Sequence, residues 1–144
     1  MILVSACLVG INCRFDGTNK LNEKVLNFCQ NKGFIPICPE QLGGLSTPRI
    51  PAEIVSGDGN DVLKGMSRVI NERGEDVTEI FIRGGKKTFK IIELMKISKV
   101  IFKDMSPSCG VHWIYHNGEL KSGVGVTTSI VKEAGIQVVA EADL

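Results

Sequence analysis

Three cysteines stand far apart in the chain, at Cys7, Cys38 and Cys109. Each lies beside a turn-forming residue, in the contexts Cys-Leu-Val-Gly, Ile-Cys-Pro-Glu and Ser-Cys-Gly. Thiolates are ligands for soft centres such as zinc or iron–sulfur. Loops rich in Gly or Pro let backbone N–H groups come close to a cluster or an anion. Structural zinc usually arrives with paired Cys-x2-Cys knuckles, and this chain has none. Singletons drawn from distant loops fit a buried, open-sided site better. Three cysteines on a cubane would leave one iron without a protein ligand, as a Lewis acid open to substrate. Spacing alone does not choose iron over zinc.

Two polar side chains travel with these cysteines. Glu40 follows Cys38 by two residues, and Ser106 precedes Cys109 by three. Either could move protons beside a bound substrate. The competing readings are a solvated Glu40 and a Ser106 that supports its own loop. Cys29 falls mid-helix on an apolar side and reads as a small core residue. Cys13 sits in a polar loop beside Arg14, and its spacing leaves open whether it joins the site. Arg49 could touch substrate, but a structural pairing with a carboxylate such as Glu53 is the better reading. His112 and His116 follow Cys109 closely, yet nothing in their spacing demands a metal.

Elements must carry these residues to one place. Ile2 to Cys7 reads as a buried strand, and Asn22 to Lys32 as a helix stopped by Gly33. Phe34 to Cys38 is a second strand, with Pro36 placing it at an edge or a strand end. Residues 39–62 carry Pro39, Gly43, Gly44, Pro48, Pro51, Gly57 and Gly59 and read as a long loop. Loops of that length are usually functional or disordered, and interspersed Leu42, Leu45, Ile50 and Ile54 argue against disorder. A short strand is expected around Ser67 to Asn71. A long helix is expected from Asp76 to about Ile97; Gly84 and Gly85 inside it weaken it or mark a close approach by another backbone. Val100 to Phe102 is a third strand, feeding the loop Asp104 to Gly110. Trp113 to Tyr115 with Asn117-Gly118 suggests a hairpin. Thr127 to Ala134 is a helix, and Ile136 to Ala140 a last strand. The alternation predicts an α/β fold: a single-domain, Rossmann-like, three-layer arrangement over residues 1–144 with a mainly parallel sheet. In such sheets ligands bind outside the carboxyl ends of the strands, where Cys7, Cys38 and Cys109 all fall.

The chain has 144 residues and is 43% hydrophobic, enough for a real core. Its 17 basic and 16 acidic residues leave a net charge of +1. That balance gives no footprint for duplex nucleic acid. Lys86, Lys87 and Lys90 read as a solvated helix face. No apolar run reaches the roughly 18 residues of a membrane span. The apolar N-terminus lacks the basic flank of an export signal, so a reducing, cytoplasmic setting is expected. There, five cysteines, an odd number, are not a disulfide framework.

Several blocks together resemble the domain-of-unknown-function 523 family, along essentially the whole chain. They are Ser5-Ala6-Cys7-Leu8-Val9-Gly10 with Cys13-Arg14-Phe15-Asp16-Gly17, and Ile37-Cys38-Pro39-Glu40 with Gly43-Gly44-Leu45. Pro48-Arg49, Pro51-Ala52-Glu53-Ile54, Gly74-Glu75-Asp76-Val77-Thr78 and Gly123-x-Gly125-Val126-Thr127 also match, as does Ser106-Pro107-Ser108-Cys109-Gly110. That family includes the 2-thiouracil desulfidases. The resemblance implies a [4Fe–4S] cluster on Cys7, Cys38 and Cys109, with catalytic roles for Glu40 and Ser106. It implies hydrolytic, non-redox conversion of C=S to C=O on a small thiolated base such as 2-thiouracil, with hydrosulfide released. A non-catalytic metal- or sulfur-binding module, zinc included, is the alternative. Met105 and the Gly84-Gly85 pair depart mildly from the family pattern.

Overall fold

The computed structural model describes the whole chain, Met1 to Leu144. In chain order it runs β1 (Ile2–Ser5), α1 (Glu23–Lys32), β2 (Phe34–Ile37), α2 (Pro39–Leu42) and β3 (Ala52–Ile54). Then follow α3 (Gly59–Leu63), β4 (Val69–Asn71), α4 (Thr78–Met95), β5 (Lys99–Phe102) and β6 (Trp113–His116). β7 (Glu119–Ser122), α5 (Val126–Glu133) and β8 (Gln137–Ala140) complete it.

The central sheet has the order β2-β1-β5-β8, and every neighbouring pair is parallel. Strands covered on both faces are apolar throughout rather than alternating, and all four residues of β1 are buried. The pleat divides them. Leu3, Val100 and Phe102 pack towards Ile92 of α4 and Val131 of α5. Ile2, Val4 and Ile101 pack towards Val25 and Cys29 of α1. Cys29 is fully buried there, as a core residue should be. The three-layer α/β reading is therefore correct. Pro36 lies on β2, an edge strand, where a missing N–H is tolerated.

Several boundaries differ from expectation. β1 ends at Ser5, and Ala6–Val9 form a 3-10 turn that carries Cys7 past the strand end. Residues 39–62 are not one loop. They hold α2, started by Pro39 at its first position, and β3. They also hold most of α3, whose N-terminus is closed by a capping box between Asp58 and Asp61. These elements are three to five residues long, too short to show a period. The strand expected near Ser67 is β4, but it pairs antiparallel with β3 outside the central sheet. The hairpin is present as β6–β7.

Gly84 and Gly85 are buried in α4 because other elements come close there. A Cβ on Gly84 would run into the Pro39 carbonyl of α2, and one on Gly85 into Ile130 and Thr127 of α5. The first contact seats α2 directly on α4. Replacing Gly84 by Ala should therefore lower stability by roughly 1–3 kcal/mol through overpacking, despite alanine's better helix propensity. A urea melt of Gly84→Ala that matches the wild type would show that α2 is not seated in this way.

Candidate active site

Parallel pairing places Ser5 beside Ile37, so β1 and β2 end together. Cys7 follows in the 3-10 turn. Cys38 is the extended residue that caps α2. The loop after β5 brings Cys109 to the same place. All three line one cavity of about 1000 Å³, together with Cys13, Glu40 and Ser106. Cys7, Cys13 and Cys109 are buried, while Cys38 is partly exposed.

Glu40 sits in the first turn of α2 and is far from solvated. Its Oε1 accepts the Nε–H of Arg49 at 2.9 Å, and its Oε2 accepts the Ser108 hydroxyl at 2.9 Å. The Arg49 and Glu40 side chains are only 6% and 16% exposed. The guanidinium is fixed in turn by the Cys13 carbonyl at 2.9 Å and the Thr47 hydroxyl at 3.0 Å. Its Nη2 also lies 3.9 Å from the Cys38 sulfur. Arg49 thus has the structural role expected of it, but its partner is Glu40 rather than Glu53. Glu53 instead accepts the Asn117 and Gly118 N–H groups at the tip of the β6–β7 hairpin.

Ser106 supports its own loop and lines the cavity as well. Its Oγ accepts the N–H groups of Ser108 at 3.1 Å and Cys109 at 3.0 Å. The rest of that loop hangs on Asp104, whose Oδ1 accepts N–H groups from Met105, Val111, His112 and Trp113. Burial opposes the Asp104 charge, but these backbone donors hold its carboxyl below the usual range. Met105 takes a left-handed backbone conformation, φ 70°, immediately after it. Small or polar residues suit that conformation better.

Sequence reasoning missed Ser108 and Asp104. Ser108 lies in the same Ser-Pro-Ser-Cys-Gly block as Ser106, and two hydroxyls flanking a proline in a tight turn were its available signal. Cys13 is 3% exposed, with its thiol within hydrogen-bonding reach of the Cys7 and Cys38 thiols. His112 stands apart, paired with Asp143 at 2.8 Å. His116 lines the cavity and faces the Ile54 carbonyl. Lys86, Lys87 and Lys90 are exposed on α4.

The thiols could hold a metal group, and their layout bears on which kind. No three His, Cys, Asp or Glu side chains converge tightly enough to hold a single ion. Cys7, Cys38 and Cys109, brought by three separate loops to one cavity, supply the kind of thiolate donors that an iron–sulfur cluster takes. Ser5 and Ser108 hydroxyls lie within reach of the Cys109 sulfur, the latter at 3.8 Å. Hydrogen bonds to ligand sulfurs are a usual means of tuning such a group.

Thiols around a pocket at the strand ends, with a fixed carboxylate among them, define a small-molecule site on an α/β scaffold. The chain belongs to the 2-thiouracil desulfurase family, whose match covers residues 2–143. It is 45% identical over 147 residues to the uncharacterized protein YbbK of Bacillus subtilis (strain 168), covering 100% of this chain and 97% of that one. It also resembles the solved structure of TudS, a [4Fe-4S]-dependent thiouracil desulfidase. There the TM-score is 0.87 at 37% identity, covering 99% of this chain and 91% of TudS.

The thiols also predict a pH response. Burial first, with nearby negative charge, pushes Cys109 up from 9.0 to about 12. Contact with Cys13 and burial push Cys38 up strongly. Contact with Cys38 pulls Cys13 down, but the Cys7 contact and burial prevail and leave it at about 11. Between pH 9 and these values the folded chain holds protons that the unfolded chain has lost, so stability falls as pH rises. The reduced, metal-free protein should lose thermal stability from pH 9 upwards. Cys109→Ser should flatten that slope. An equally steep slope in the variant would remove Cys109 as its source.

Proposed function

We propose that this chain is a [4Fe–4S]-dependent desulfidase that hydrolyses the thiocarbonyl of a thiolated pyrimidine such as 2-thiouracil. The products are the oxo base and hydrosulfide. The observation that carries the proposal is one mostly buried and firmly held carboxylate, Glu40, lining the same cavity as Cys7, Cys38 and Cys109. Membership of the desulfurase family and the likeness to TudS support it.

In this reading Cys7, Cys38 and Cys109 hold the cluster. With three protein ligands, a bound cluster supplies a Lewis-acidic iron that polarises C=S. Glu40 accepts the proton of the attacking water. Its two oxygens are already held by Arg49 and Ser108, which fixes the carboxylate in direction. Ser106 presents a hydroxyl from a loop tied down by Asp104 and donates a proton on the same wall. Water's oxygen replaces sulfur on the carbon, sulfur leaves as hydrosulfide, and no electrons are transferred overall. No helix is long and apolar enough to cross a membrane.

The first test is anaerobic reconstitution. About four iron and four acid-labile sulfide per chain are expected, as a [4Fe–4S] cluster requires, with thiouracil converted to uracil and hydrosulfide. Glu40→Gln should keep its iron and lose at least about 100-fold in turnover. Cys38→Ser should lose the cluster. Zinc in place of iron, or a colourless chain that cannot be reconstituted, would move the assignment to a non-catalytic binding module.

A further inference from the structure

We propose that Arg14 and Lys20 form an oxyanion subsite on the cavity wall, and that the substrate is accordingly a thiolated pyrimidine carrying a phosphate or a carboxylate. This names the substrate class of the desulfidase reading above and rests on it. Both side chains line the cavity that Cys7, Cys38 and Cys109 share. The other basic side chains of that wall are matched, Arg49 by Glu40 and Lys103 by Glu141. Arg14 and Lys20 form no ion pair and no side-chain hydrogen bond with the rest of the chain.

Arg14 carries most of the argument. Its Nε is buried and has no acceptor, and a buried donor left unmade is costly. The guanidinium lies over the Phe15 ring, 5.7 Å from its centroid, and Phe15 lines the same cavity. A guanidinium presents its donors as a planar fork that matches the paired oxygens of a carboxylate or a phosphate. Lys20 is exposed, so its lack of a partner is ordinary taken alone. Its weight comes from sharing the wall with Arg14. A neutral ring carbonyl would satisfy one N–H and leave both charges standing. An oxyanion answers the orphan donor and the charges together.

The loop is ordered without using these side chains. The Arg14 N–H donates to the Thr18 carbonyl at 3.1 Å, and the Arg14 carbonyl accepts the Gly17 N–H at 2.9 Å. Arg49 donates its backbone N–H to the Phe15 carbonyl at 2.8 Å, and Lys20 donates its own to the Cys7 carbonyl at 2.9 Å. The carboxylate of this loop, Asp16, feels the Arg14 charge, yet its Oδ1 accepts the N–H and the hydroxyl of Thr18. Across the cavity, Glu53 is committed to the hairpin N–H groups and Asp104 to its own loop. The backbone thus fixes where the two cations stand, and no carboxylate of the chain neutralises them.

Calorimetric titration of the reconstituted enzyme, and of the metal-free chain, tests this with ligands that hold no sulfur and cannot turn over. The probes are uridine, uridine monophosphate and carboxyuracil, with inorganic phosphate as a competitor. At least one anionic probe should bind about 10-fold or more tightly than uridine, with an advantage that shrinks as salt is raised. The probe with the larger advantage identifies phosphate or carboxylate as the group recognised. Arg14→Gln should abolish the advantage, leaving uridine affinity and iron content unchanged. Arg14→Lys keeps the charge without the fork and should retain only part of it; Lys20→Gln should lower it less than Arg14→Gln does. Equal binding of uridine and both anions by the wild type overturns the subsite, as does an Arg14→Gln chain that keeps the preference. An Arg14→Gln chain that folds but takes up no iron assigns Arg14 to the charge of the metal group and overturns it too. If Arg14→Gln does not fold, the wild-type comparison and Arg14→Lys decide. A wild-type chain that holds its cluster and prefers the anions, yet releases no hydrosulfide from any thiolated pyrimidine, overturns the desulfidase reading and leaves the subsite standing.

Discussion

Parallel strands cannot be joined by tight hairpins, because each connection must travel back along the sheet before the next strand starts. Every carboxyl end in the central sheet therefore points the same way and opens into a connection free of pairing duties. In this chain the consequence is direct. β1, β2 and β5 are adjacent in the order β2-β1-β5-β8. Their ends deliver Cys7, Cys38 and Cys109, separated by tens of residues, to one cavity wall. Had β1 and β2 been antiparallel, Cys7 and Cys38 would lie at opposite ends of the sheet.

The second constraint is electrostatic. Burying a carboxylate is costly unless it is paired and fully hydrogen-bonded. Glu40 meets that condition with Arg49 on one oxygen and Ser108 on the other. Arg49 in turn takes carbonyls from elsewhere in the site, including that of Cys13. The loop after β5 solves its own problem in the same way. Its N–H groups have no ladder to join, so Asp104 and Ser106 collect them. Two loops with no regular structure are thus held by side chains that either face the cavity or end beside it. A substitution at Asp104 would consequently reach Cys109 and Ser106 together.

The sheet was legible because its strands are apolar runs bounded by glycine and loop residues, and the buried Ile2–Ser5 segment is the clearest case. α4 was legible from its length, and the paired glycines foretold a close approach that Pro39 and α5 supply. The stretch 39–62 was not legible as structure. α2, β3 and α3 hold their shape through tertiary seating and capping, and neither leaves a repeat in the sequence. For the site, cysteine spacing and neighbouring residues brought out the thiols, Glu40 and Ser106. The partners of Arg49 and Glu53 stayed hidden, because the ion pair of Arg49 with Glu40 and the hold of Glu53 on the distant hairpin N–H groups depend on the fold and carry no local mark. Ser108 stayed hidden because the direction in which each serine of Ser-Pro-Ser points depends on the turn's backbone.

The arrangement also shows which contacts build the site and which the site is built for. Its shape is held by oxygen and nitrogen contacts: Asp104 on four N–H groups, Arg49 on Glu40 and two carbonyls, Glu53 on the hairpin tip. The sulfurs contribute little to that framework. Their contacts are long, 3.7 to 3.9 Å, and all five cysteines are free. Contact with Cys13, and then burial, pushes the Cys38 thiol up, and burial does the same to Cys109, so both hold their protons more tightly than a free thiol. Loading a metal group on them must therefore expel protons and place thiolates in a wall where Arg49 is the nearest fixed cation to Cys38. The positive charge that offsets those thiolates has to come from the bound group.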